Sequence, residues 1–284
     1  MDSIIQGIVF DGQIRVALID TSKILHDLRE RQKLSPLATN ALGRSLSIGA
    51  YESTNTKSQV SKFNIIVESD GLVNNICVSG RSGGLIKGFA STQDAQLNQF
   101  NSTDLTVGIG RIGYFTVIRD LGLKEPYIGR TPLINGNIAD DYAYHLYQSE
   151  GVKNAVGLDV VQDGSKPFSF GLIFEALPNA SEEAIFIVED IMLQFNDIFT
   201  YARTNGLEKT FDFYLGHLKS QILAVNEIKY YCDCKIRAKD IVKSIGVEEA
   251  KSIIREHGKL ELLCEYCNEY IIFDEKELRE VFDL

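Results

Sequence analysis

No apolar run in this 284-residue chain is long enough to cross a membrane as a helix. There is no excess of positive charge: 29 Lys and Arg face 39 Asp and Glu, for a net charge of -10. A chain of that sign lacks the electrostatic footprint for coating a phosphate backbone, which excludes a general nucleic-acid binder. Met1 to Gly7 has neither a basic region nor a long apolar one, so no secretion signal is read there. The expected compartment is the reducing cytoplasm, with no membrane partner. Histidine is scarce: His26, His145, His217 and His257 are dispersed, and no two have metal-binding helical spacing. His145 follows Asp141 by four residues, the spacing of a plain contact along a helix.

Two glycine motifs fail on context. Gly108-Ile109-Gly110-Arg111-Ile112-Gly113 has the spacing of a dinucleotide loop, but the strand-like Tyr114-Phe115-Thr116-Val117-Ile118 follows where a helix is required. Gly80-Arg81-Ser82-Gly83-Gly84 has nucleophile-elbow spacing, but Leu85 to Phe89 is again strand-like, so a hairpin turn is expected. The carboxylates form no recognisable acid/base pair and are expected on the solvated surface.

What is present is an ordinary globular balance, 44% hydrophobic and 24% charged, in a mixed pattern. Ile4–Val9 and Ile14–Ile19 flank an Asp-Gly turn at Phe10 to Gln13 and read as a hairpin. Thr21 or Ser22 is placed to cap a helix running through Arg31. Pro36 is placed to open another, whose small residues suit close packing. Phe63–Val67, Val73–Val78, Leu85–Ala90 and Tyr114–Ile118 read as an antiparallel meander. Asp140–Tyr147 reads as a helix. Ala155–Val161 and Phe168–Phe174 return to strand, joined through Gln162-Asp163-Gly164-Ser165. The expected class is α+β.

At Leu177 to Glu182 the pattern breaks. Asn179 and Glu182 have capping-box spacing. The helix expected after them carries Ile185, Phe186, Ile187, Val188, Ile191, Met192, Leu193, Phe195, Ile198 and Phe199, an apolar surface too wide for a simple stripe. It reads either as a helix buried between domains or as a sticky segment that can be uncovered. After Thr204-Asn205-Gly206 a further helical stretch is expected, up to Tyr230-Tyr231.

Four of the five cysteines lie in the last segment, which holds 9 basic and 13 acidic residues. Cys77 stands apart in an apolar run and is expected to be a small buried hydrophobe. Cys232-Asp233-Cys234 and Cys264-Glu265-Tyr266-Cys267 form two tight pairs separated by 29 residues. Four thiolates in two close pairs suit tetrahedral Zn²⁺, and four sulfurs leave no open position for catalysis. A segment this short also needs a staple to fold. Lys235, Arg237 and Lys239 adjoin the first pair and favour thiolate, so each pair is poised to oxidise.

At these residues the sequence resembles the redox-regulated bacterial heat-shock chaperones of thirty-three kilodaltons. The likeness runs through Phe10 to Val16, Leu34 to Thr39, Thr116 to Tyr127, Gly136 to Asp141, Leu177 to Glu183 and Cys264 to Asn268. The resemblance implies a chaperone core domain over 1–178, a helical linker over 179–230 and a zinc-binding redox-switch domain over 231–284. It implies an ATP-independent holdase and no enzyme. One Zn²⁺ per chain would be held in the reduced state by Cys232, Cys234, Cys264 and Cys267. Oxidation would join Cys232 to Cys234 and Cys264 to Cys267, expel zinc and unfold switch and linker. Unfolding client proteins would then be captured, with Ile185, Phe186, Ile191, Phe195 and Phe199 as candidate contacts, and the activated form would be a homodimer. Two departures stand out. Lys235-Ile236-Arg237-Ala238-Lys239 replaces the usual Ser and Glu-Arg, beside the ligands, and Phe168-Ser169-Phe170-Gly171 replaces an Ala-Gly-Gly stretch. The rival classes are a constitutive protein- or RNA-binding module with a structural four-cysteine zinc site, and a thiol–disulfide exchange enzyme, for which no thioredoxin-like βαβ context is present.

Overall fold

The computed structural model describes residues 1–55, 58, 60–91, 108–164 and 166–282. Ser165 of the expected connection and Leu284 at the expected domain end lie outside them. The chain forms two compact units, Met1–Tyr230 and Tyr231–Leu284. Its class is α+β.

The first unit begins with the hairpin β1 (Ser3–Val9) and β2 (Ile14–Asp20). Its turn holds Phe10, Asp11 and Gly12 at positive φ. Helix α1 (Ser22–Gln32) follows, but neither Thr21 nor Ser22 caps it. The buried Asp2 carboxylate does, accepting the amides of Lys23 at 2.8 Å and Ile24 at 2.7 Å, while Ser22 turns back to Asp20. A cap supplied from the far side of a hairpin leaves no local sequence signal. Helix α2 (Pro36–Thr54) opens with Pro36 at its first position and the Ser35 hydroxyl on the Ala38 amide. It is buried almost all round, because it runs between two sheets. Its small residues allow the approach: a Cβ at Gly43 would stand 2.6 Å from Leu25 and Val160, and one at Gly49 2.5 Å from Val78.

One sheet is fully antiparallel, in the order β10-β1-β2-β9-β8, with β8 spanning Asn154–Val161, β9 Phe168–Ala176 and β10 Gln221–Glu227. The second contains β3 (Lys62–Ser69), β4 (Asn75–Arg81), β5 (Leu85–Ser91), β6 (Gly113–Asp120), β7 (Tyr127–Pro132) and the short β11 (Lys229–Tyr230), in the order β11-β5-β4-β3-β6-β7. It is not a plain meander: β6 returns to the free edge of β3. Strand follows both glycine motifs, at β6 and β5, as expected.

Strand alternation gives the first sheet two apolar faces. Ile4, Ala17, Ile19 and Ile173 join α1, α2 and the second sheet in one core. Ile5, Val9, Val16, Leu18, Phe170, Leu172 and Phe174 form the other face. That second face is covered by α4 (Glu182–Leu193), α5 (Phe195–Asn205) and α6 (Leu207–Leu215). Ser181, not Asn179, caps α4, its hydroxyl accepting the Ala184 amide at 3.2 Å. The single wide helix expected here is two, broken at Gln194. The chain beyond α6 is strand β10, not helix, because β1 offers it an open edge to pair with.

Several carboxylates are buried rather than solvated. Glu52 on α2 accepts two hydrogen bonds from Arg119 of β6, at 2.7 and 2.6 Å, and one from the Tyr142 hydroxyl at 2.9 Å. Arg119 also reaches Glu150 at 2.8 Å. Tyr142 and Glu150 lie on α3 (Ile138–Glu150). Asp141, also on α3, does not meet His145. It accepts the amides of Ile134 and Asn135, and burial pushes its carboxyl up to about 6. His145 is fully buried, its Nδ1 3.3 Å from the Thr131 hydroxyl and its ring against Phe115. Burial, then Arg119, push it down to about 4, with Glu52 opposing.

The folded His145 therefore binds fewer protons than the unfolded one. Its contribution to stability is present above about 6.5, the ordinary histidine value, and is lost as pH falls towards about 4. The raised Asp141 has the opposite sign. In urea titrations between pH 7 and pH 4, the wild type is expected to lose stability relative to a His145→Leu variant. Parallel curves would assign the acid response elsewhere.

Candidate metal centre

The second unit is built from α7 (Cys234–Ile245), α8 (Val247–His257), the hairpin β12 (Leu260–Cys264) and β13 (Glu269–Phe273), and α9 (Glu275–Phe282). Its buried apolar core is Ala238, Val242, Ala250, Leu260, Phe273, Leu278 and Val281. Few of these are large, and a core of this size does not hold a domain of fewer than 60 residues by itself.

The four cysteines sit where this fold can bring them together. Cys264 ends β12 and Cys267 lies in the turn to β13, closed by Asn268 at positive φ with its amide on the Cys264 carbonyl at 2.7 Å. Cys232 precedes α7 and Cys234 begins it. The four sulfurs lie within 4.8 Å of one another, the only such group of metal-ligand side chains among the described residues. Cys232 Sγ is 3.7 Å from Cys264 Sγ, and Cys234 Sγ is 3.6 Å from Cys267 Sγ. A tetrahedral ion with Zn–S bonds of about 2.3 Å holds its sulfurs ~3.8 Å apart. A disulfide needs about 2.05 Å. The arrangement has the dimensions of a coordination shell.

Backbone amides support it. The Cys267 and Tyr266 amides bond to Cys264, the Cys234 amide to Cys232 and the Glu269 amide to Cys267. Burial pushes Cys232 up to about 11 and Cys267 up as well. At Cys264 burial pushes the same way, but the amides and neighbouring thiols outweigh it and the thiol lies below its ordinary value. A cluster that favours one thiolate and keeps neighbours protonated calls for a cation to complete the ionisation. Beside it, the buried Asp233 pairs with Arg237 at 3.3 Å. Cys77 is elsewhere, in β4, half-buried on the face opposite Ile76 and Val78. Alternation turns it out of the apolar run.

The candidate client contacts are spread through α4 and α5. Ile191 and Phe199 are buried, Ile185 and Phe195 half-buried, and Phe186 is 69% exposed. Phe195 and Phe199 pack on Phe170 at ring distances of 6.1 and 6.2 Å. The helices turn these side chains onto the sheet. The sheet face beneath is itself apolar, which the helix pattern alone does not reveal. Its signal is the apolar run from Phe170 to Phe174 in β9, where a one-sided strand would alternate.

A family model described as Hsp33 protein matches residues 2–274. The 33 kDa chaperonin of Thermoanaerobacter pseudethanolicus is 32% identical, over 99% of this chain and 97% of its own. That of Bacillus velezensis is 28% identical over 100% and 99%. The crystal structure of a 33 kDa chaperonin, a heat shock protein 33 homolog from Thermotoga maritima, superposes with a TM-score of 0.85 at 28% identity, covering 99% of this chain and 98% of that one.

Removing a bound metal with a chelator is expected to abolish the ordered fold of residues 231–284, read as lost amide protection there, while β1, β2 and β9 stay protected. Structural zinc contributes on the order of 10–16 kcal/mol in small modules, far more than this core supplies. Retained protection in the chelated chain would show that the core suffices.

Proposed function

Because the chain belongs to the Hsp33 family, a family of chaperones, we propose that it is a redox-gated, ATP-independent holdase of the cytoplasm. The observation that carries the reading is the four-sulfur cluster in a unit whose core is too small to stand alone. Residues 231–284 act as the switch, 179–230 as the linker and 1–178 as the body that holds clients. In the reduced state Cys232, Cys234, Cys264 and Cys267 would hold one Zn²⁺. Bound by four sulfurs, it would supply stability rather than catalytic chemistry.

Oxidant removes the ligands. As each S–S bond forms, Cys232–Cys234 and Cys264–Cys267, the two thiolates give two electrons to one hydrogen peroxide, whose O–O bond breaks and which, with two protons from solvent, leaves as two waters. This pairing rests on the family resemblance; the 3.6 and 3.7 Å contacts across the pairs are edges of the coordination shell. With those four thiolates consumed the site could no longer hold an ion, and the switch unfolds. The linker then loses its neighbour in the chain and undocks. Undocking exposes Ile5, Val9, Val16, Leu18, Phe170, Leu172 and Phe174 together with the linker's own apolar residues. A broad apolar surface of this kind binds unfolding proteins without sequence preference. The activated form pairs as a homodimer.

Zinc release under peroxide, followed with a chromophoric chelator, is expected to track the loss of four thiols. Suppression of aggregation of a heat-unfolded client should appear only with it. Zinc that stays bound, or leaves with no gain in suppression, would reduce the cluster to a structural staple.

Linker docking can be weakened directly. A Cβ at Gly7 would stand 2.7 Å from the Gln221 carbonyl and 2.8 Å from the Phe211 ring. Gly7→Val should therefore loosen linker docking and give aggregation suppression in the reduced, zinc-loaded chain. A variant as silent as wild type before oxidation would count against linker undocking as the gate.

A further inference from the structure

We propose that β10 is a stand-in for client: it occupies an edge of β1 that an extended segment of an unfolding protein takes over once the linker leaves. The inference rests on the proposed undocking of residues 179–230. It adds what the undocked body recognises, namely an extended, uncharged, aliphatic strand held by main-chain pairing.

β10 runs antiparallel to β1 from Ser3 opposite Glu227 to Ile8 opposite Gln221, with an irregularity at Gln6 and Gly7. It is an edge strand, and among the described residues β1 is its only neighbour in the sheet. No β10 side chain is buried. Ile222, Leu223 and Val225 are 37, 57 and 54% exposed. Side-chain burial therefore contributes little to holding β10. What holds it is the ladder of backbone hydrogen bonds and its tethers at both ends, to α6 before it and to the buried Ile228 and β11 after it, which keep it near β1 at an effective concentration on the order of mM. Any extended chain can supply the first, and undocking removes the second.

β1 is different. Ile4, Ile5 and Val9 are at most 1% exposed, and β2 pairs with it along its whole length. It stays when β10 goes, and its outer row of N–H and C=O groups opens beside the uncovered face bearing Ile5, Val9, Val16 and Leu18. An open edge flanking an apolar face is a template for strand addition.

The occupant now seated there specifies the ligand class. Gln221-Ile222-Leu223-Ala224-Val225-Asn226 contains no charge and no proline. Its register places Ile222 and Val225 on the same face as Gly7 and Ile5, with Gln221 and Asn226 on the other. The other long edges differ: β7 carries Arg130 and Pro132, and β8 carries Asp159 paired to Arg44 at 2.8 Å. Charge and proline are the usual guards against strand addition, and β10 lacks both from Gln221 to Asn226, its one charge, Glu227, standing at its end.

The test adds a peptide of the sequence Ser220–Ile228 to the oxidised full-length chain. A control peptide carries prolines in place of Ala224 and Val225. Successive N–H groups point to opposite sides of a strand, so one of the two must face β1. The first peptide is expected to protect the amides of Ser3–Val9 from hydrogen exchange. It should also cause a loss of aggregation suppression that grows with its concentration. The proline peptide should do neither. If the oxidised chain has lost zinc and suppresses aggregation, yet the peptide protects nothing and competes with nothing, this inference fails and the proposed function stands. Equal action by both peptides, or equal protection in the reduced chain, also overturns it. If zinc loss brings no suppression at all, the proposed function has failed first and takes this inference with it.

Discussion

A sheet with apolar side chains on both faces must be covered twice, and the first unit is arranged around that constraint. One face is sealed by α2, which the second sheet seals from behind. Among the described residues the other is sealed by α4, α5 and α6, a layer one helix deep with 69% of Phe186 and 85% of Leu193 left in solvent. The two layers are unequal in kind. The first is interior and shared with a second sheet. The second is peripheral and lies in one continuous stretch of chain, so it can leave without tearing the rest.

The terminal unit gives that stretch its fate. Seven buried apolar residues make a core that is adequate only with a further staple, and the four sulfurs have the dimensions for one. Metal binding and folding are then a single equilibrium. On the proposed function, a change of a few electrons at sulfur becomes a change in the order of the stretch from Tyr231 to Leu284.

Much of this was legible in the sequence. The α+β class, the first hairpin, the α2 start at Pro36 and the rejection of both glycine motifs follow from local pattern, and the structure agrees. The cysteine cluster was legible because two short spacings constrain it strongly. What escaped was non-local. The cap of α1 comes from Asp2, which the β1–β2 hairpin brings back to the helix start. The return of β6 to β3 depends on pairing rather than pattern. β10 was expected as helix because its residues serve either state, and only the open edge of β1 decides between them. Ser181 displaced Asn179 as the cap of α4 although only Asn179 has a Glu three residues on, because the helix starts at Glu182, directly after Ser181.

Glu52, Arg119, Tyr142 and Glu150 tie α2, β6 and α3 together inside the first unit, through bonds of 2.6 to 2.9 Å. A knot of this kind has no halfway state, because parting any member strands a charge away from water. The body therefore resists fraying from within. On the proposed function, loss of the outer helices would stop at the sheet, with the knot as a firebreak. A protein that holds others while they unfold has to be unable to join them, and this ionic knot would supply that immunity.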